Sequence, residues 1–161
     1  ALLAIVGIMA YVAYTFKNIT YGLSAIVALI HDLLVVVGLF SLFGYFFQVE
    51  VDTLFVTAFL TTISFSVHDT IVVFDRIREN LLVSRGGRKL VEIINLSIKE
   101  TFRRSVNTSL TLFLVLLALI FWGPDSLFYF NLTILIGTVI GTYSSIFIAS
   151  PSLLFFNAKG R

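Results

Sequence analysis

The chain has 161 residues, 58% of them hydrophobic and 12% charged, with a net charge of +2 and a mean hydropathy of +1.03. A soluble domain carries about twice that share of charge, so the composition excludes the soluble globular class. There is no cysteine, which excludes disulfides, a thiolate nucleophile and a cysteine-ligated metal.

Five apolar segments follow one another, at about residues 1–16, 21–47, 53–74, 105–122 and 126–156. Several reach the ~20 residues that cross a bilayer core. No run alternates as the short strands of a barrel do, so the expected fold is an all-α polytopic membrane helix bundle with five spans visible. The first segment opens in mid-run at Ala1, with no charged stretch before it, so it does not read as a signal peptide. A preceding span is expected to be absent.

Orientation follows from Lys and Arg. All eleven lie at Lys17, within Arg76–Lys99, at Arg103 and Arg104, and within residues 159–161. With five spans these positions fall on one side. The opposite turns, Gln48-Val-Glu-Val-Asp52 and Gly123-Pro-Asp-Ser126, carry none. The basic side is expected in the cytoplasm, with the C-terminus and the 75–104 connection. Asp125 or Ser126 is expected to cap the last span, with Trp122, Phe128 and Tyr129 at the interface.

After Arg85-Gly-Gly-Arg88, which reads as a break, Leu90, Ile94, Ile98 and Phe102 recur every four residues, widened by Val91. An amphipathic cytoplasmic helix over about 88–103 is expected, lying on the surface, packing under the bundle or simply joining two spans.

The polar residues inside the spans carry the functional signal. Thr62, Ser66 and Asp69 share one face of the third span, and Thr57, Thr61, Ser64 and His68 an adjoining one. Asp69 lies about 16 residues, or roughly 24 Å, into its helix. A carboxylate there costs several kcal/mol, so it must be neutral, paired or facing water. Ser24, His31 and Asp32 mark the second span. His31 either holds a proton for Asp69 or satisfies a backbone carbonyl. Arg104, Thr108 and Thr111 share a face of the fourth span. Arg104 serves as an interfacial anchor, as an i,i+4 partner of Glu100, or as the partner of Asp69. Thr133, Gly137, Gly141 and Ser145 form a ladder of small residues in the fifth span, the pattern that lets helices approach closely. Moving an arginine toward a buried carboxylate, or away from it, would release or load a proton.

At this point the residues resemble a known family. Ser66-Val-His-Asp-Thr-Ile-Val-Val-Phe-Asp-Arg-Ile-Arg-Glu-Asn80 is similar to the signature of SecF-type subunits of the SecD/SecF protein-export complex. Asp75, Arg76, Arg78, Glu79 and Asn80 are its most specific part. Ile30-His-Asp32, Arg104-Ser-Val-Asn-Thr-Ser109 and Phe121-Trp-Gly123 agree in order and spacing. The resemblance implies spans two to six of a six-span half of the resistance-nodulation-division type. The first span and a periplasmic domain would precede them. It also implies export of preproteins powered by the proton-motive force, with SecD, the SecYEG channel with SecA, and YajC as partners. Asp69 matches the family's proton-relay aspartate and Arg104 its functional arginine; His31 and Asp32 would belong to the relay, and His68 would join it, tune Asp69 or mark a different coupling ion. His68 stands where the family usually has Asn, and Phe65 where it often has Tyr. H⁺ and Na⁺ both suit such a relay.

Three other readings stand beside this one: a passive scaffold, a small-molecule exporter of the same superfamily, and a metal-dependent intramembrane hydrolase using the two His-Asp pairs. No His-Glu-x-x-His motif accompanies those pairs. No catalytic residue, metal or cofactor is therefore expected.

Overall fold

The computed structural model describes residues 7, 10–12, 14–16, 18–49, 52–84 and 89–158, and among them there is helix and no strand. Residues 7, 10–12 and 14–16 are helical. They are followed by α1 (Ile19–Phe47), α2 (Thr53–Ser84), α3 (Leu90–Trp122), α4 (Phe128–Ser144), a π-helical turn (Ser145–Ala149) and α5 (Ser150–Ala158). Helix is the form in which an apolar segment satisfies its own backbone without water. Four helical stretches are long and apolar enough to cross a membrane: α1, α2, α3 and the run Asp125–Phe156.

The helix ends follow from local chemistry. Asn18 caps α1 by accepting the Thr20 N–H at 2.9 Å, and Gln48 closes it in the left-handed region at φ 53°. Asp52 accepts the Phe55 N–H at 2.7 Å at the start of α2. The turn into α4 differs from expectation. Asp125–Leu127 forms a 3₁₀ turn whose backbone closes on itself, Leu127 N–H donating to Pro124 O at 2.9 Å. Neither Asp125 nor Ser126 makes a side-chain cap.

The expected surface helix at 88–103 and the span at 105–122 are one continuous helix, α3, because no Gly or Pro interrupts them. Of its expected apolar stripe, Leu90, Ile94 and Ile98 pack in the core cluster with Phe74. Ile94, Ser97, Thr101 and Ser105 are buried, while Val91 and Phe102 are half exposed. The small hydroxyl residues allow a close approach to α2, which turns Phe102 to an apolar groove beside Tyr143 and Phe147. α2 runs on past Phe74 to Ser84, and the last span changes pitch at the π turn. The Arg85–Arg88 break, Lys17 and residues 159–161 lie outside the described residues.

α4 is the central helix and touches α1, α2 and α3. Its small-residue ladder explains this. A Cβ on Gly137 would overlap the Thr62 side chain, and one on Gly141 would lie 3.0 Å from Ser66 Cα. At these two levels the backbones of α2 and α4 approach as closely as side chains permit. At the basic end a separate apolar cluster holds the helices together. Phe74 is fully buried, with its ring 5.3 Å from Tyr21 and 6.1 Å from Phe16 in edge-on contacts.

Candidate functional site

Where Gly141 lets α2 reach α4, two carboxylates lie among hydroxyls. Asp32 of α1 is the more enclosed, at 3% exposed. Its Oδ2 accepts hydrogen bonds from Ser66 Oγ of α2 and from Ser144 Oγ of α4, the latter at 2.7 Å. Its Oδ1 lies 3.1 Å from His31 Nδ1. One side chain thus ties three helices together. His31 pairs with its own neighbour and makes no hydrogen bond to Asp69.

Asp69 is half-buried, and its Oδ2 accepts from Thr142 Oγ1 at 3.2 Å. The Thr142 hydroxyl also lies 2.5 Å from Ser109 Oγ and 2.9 Å from Thr138 O. It has one proton for these partners, so its donation to Asp69 competes with the others. Asp69 lines a cavity of about 180 Å³ between α2, α3 and α4, together with Ser66, His68, Thr108 and Ser109. His68 is exposed beside it, and Thr62 is buried one turn away against Gly137.

Arg104 lies one turn from that cavity along α3, its carbonyl accepting from Thr108 Oγ1 at 3.0 Å. It lines the next opening, of about 420 Å³, with Asp75, Arg76, Arg78 and Glu79. Among the described residues it makes no ion pair, either with Asp69 or with Glu100. Glu100 is held instead by Arg76 Nε at 2.7 Å and Asn80 Nδ2 at 2.8 Å. These donors, Arg76 first, hold the Glu100 carboxyl below its ordinary range. Arg76 also pairs with Glu79 at 2.5 Å, and Asn80 donates to Ser97 Oγ at 2.9 Å. Arg78 reaches Thr15 O at 3.4 Å. The charged run thus clamps the end of α2 to α3 and to the helical residues before α1. Among the described residues, no three His, Cys, Asp or Glu side chains gather where they would hold a metal.

A family model described as "Protein export membrane protein SecD/SecF, C-terminal" matches residues 1–159. The chain belongs to the SecD/SecF family. Among its SecF relatives, the protein translocase subunit SecF of Thermobaculum terrenum is 53% identical over 98% of this chain and 50% of its own length. SecF of Pseudomonas aeruginosa is 42% identical over 97% of this chain and 49% of its own length. The chain therefore spans about half the length of the curated SecF relatives it matches. A crystal structure of SecDF in a super-membrane-facing form superposes with a TM-score of 0.90 at 39% identity, covering 99% of this chain and 21% of that one.

Within this SecF-type bundle, sequence reasoning missed Ser109, Thr142 and Ser144. Hydroxyls in apolar helices usually serve packing, and nothing in their spacing separates those that meet a carboxylate. The available signal was Thr142 and Ser144 beside Gly141, the residue that brings α4 against Ser66.

Proposed function

We propose that this chain is the membrane part of a Sec translocation subunit that uses the proton-motive force to assist preprotein export. Its basic end faces the cytoplasm. Asp69 binds the proton, and Arg104 promotes its release. In the complete protein it works beside SecD at the SecYEG channel, with SecA and YajC, on preproteins.

The observation that carries this reading is the position of Asp69. It is a carboxylate within a membrane span that accepts from Thr142, on the wall of a cavity one turn from Arg104, which makes no ion pair among the described residues. An intramembrane carboxylate so placed is costly unless it works. When protonated it is neutral and suits its apolar neighbours; when Arg104 approaches, the ionised form is favoured and the proton leaves. Each proton that crosses supplies about 2.3 kcal/mol per 100 mV, and repeated turnovers can drive a conformational cycle.

Preprotein export into vesicles carrying the complete protein, driven by an imposed H⁺ or Na⁺ gradient, tests this. Export that follows the H⁺ gradient and is lost in Asp69→Asn supports the reading. Export unchanged in Asp69→Asn leaves only a passive scaffold, and export that follows Na⁺ alone contradicts the choice of ion.

A further inference from the structure

We infer that Ser144 is a positioning residue that links the two intramembrane carboxylates, holding Asp32 so that proton binding at Asp69 depends on it. This inference rests on the reading that Asp69 takes up a proton.

Both carboxylates draw on the same two short segments. On α2, Ser66 donates to Asp32, and Asp69 lies three positions on, with Cβ atoms about 5–6 Å apart. On α4, Thr142 donates to Asp69, and Ser144, two positions on, donates to Asp32. Gly141 removes the slack between these segments, since a Cβ there would meet the Ser66 backbone. A displacement of α4 that frees Thr142 from Asp69 therefore also moves Ser144 relative to Asp32. The π turn begins at the next residue, Ser145, and Ser150 Oγ donates to Ser145 O at 3.1 Å across it. Such turns interrupt the α-helical register and are frequent at functional sites. This one provides the place where a shift of α4 ends without displacing α5.

The charges facing each group are few. Asp32 faces His31 on its own helix, Ser66 from α2 and Ser144 from α4. Asp69 has His68 on its own helix, Thr142 from α4, and Thr108 and Ser109 from α3, with Arg104 one turn further. Among the described residues neither carboxylate has a Lys or Arg ion pair. Two hydroxyls, from two different helices, donate to the same oxygen of Asp32. Ser144 Oγ also reaches Gly141 O, at 3.2 Å, but its shorter contact is with Asp32. Ser144 and Thr142 are two positions apart on α4, so the anchor of Ser144 on Asp32 sets where Thr142 meets Asp69. Without the Ser144 donor that anchor is lost.

The test uses the complete protein with its SecD partner in vesicles, treated with dicyclohexylcarbodiimide, which attacks protonated carboxyls in apolar surroundings. Labelled Asp69 is quantified by mass spectrometry across roughly pH 4 to 9. In Ser144→Ala and in Asp32→Asn the half-labelling point is expected to move by at least ~0.5 pH unit, about a threefold change in proton affinity. Ser144→Thr, which keeps the hydroxyl, should retain the wild-type profile. Wild-type profiles in both Ser144→Ala and Asp32→Asn overturn the inference, as does a shift in Ser144→Ala alone. If Ser144→Ala does not assemble, the size-matched Asp32→Asn profile decides. Wild-type labelling that does not vary with pH contradicts proton uptake at Asp69 itself, and with it the function proposed above.

Discussion

Ser144 Oγ donates to Asp32 Oδ2 at 2.7 Å across 112 positions of sequence, joining the last membrane helix to the first long one. Ser66 donates to the same oxygen from the helix between them. A buried polar group joined to three helices fixes their relative depth, because losing one donor leaves part of a carboxylate unsatisfied. Asp69 lies on the rim of this junction, with a cavity on one side and the hydroxyl of Thr142 on the other.

Gly137→Ala should destabilise the bundle. The added methyl would overlap Thr62, and with α2 and α4 already in contact the overpacking cost is about 1–3 kcal/mol. Gly38→Ala is the control: nothing lies within 4 Å of its Cβ position, and helical Gly→Ala changes gain about 0.5–1 kcal/mol. Thermal unfolding in detergent should show a lowered midpoint for the first variant and an unchanged or raised one for the second.

Phe74→Ala should be among the most damaging changes at the basic end. Its ring is fully buried and edges onto both Phe16 and Tyr21, so truncation leaves a cavity costing about 3–5 kcal/mol. Phe74→Leu should recover much of the loss. Unfolding midpoints of the two variants in one detergent check the order.

Glu100 gives a pH dependence of known sign. Its carboxyl is held below the ordinary value of 4.5, first by Arg76 and then by Asn80. A depressed folded-state value contributes stability that is fully present above 4.5 and lost as pH falls through the lower folded value. Wild type should therefore be more stable than Glu100→Gln near neutrality, and the difference should vanish in acid. Unfolding midpoints measured across that range provide the check. A constant difference would show that the Arg76–Glu100 contact does not set the margin.

Much of the fold was legible because hydropathy and the small-residue ladder act over many residues at once. The ladder of Thr133, Gly137, Gly141 and Ser145 points to a close helix approach, and at Gly137 and Gly141 α4 meets Thr62 and Ser66 of α2. The face of α3 was legible only in part. Of its four-residue apolar stripe, Leu90, Ile94 and Ile98 pack in the core cluster with Phe74, whereas Phe102 is half exposed and Ser97, Thr101 and Ser105 are buried. At the site, Asp69 stood out as an expensive residue in an apolar helix. The junction at Asp32 was not legible, since nothing in its own helix announces donors 34 and 112 positions away. Arg104 and Glu100 sit at helical spacing, yet Arg76 holds the glutamate, because the end of α2 lies against α3.

The most direct test is proton entry into vesicles that contain the complete protein with its SecD partner, under an imposed pH gradient, comparing wild type with Asp69→Asn. A neutral amide keeps the shape of Asp69 and its contact with Thr142 but cannot bind and release a proton. Proton entry reduced to the level of protein-free vesicles in Asp69→Asn is the predicted result. Entry at the wild-type rate in that variant would contradict a relay through Asp69.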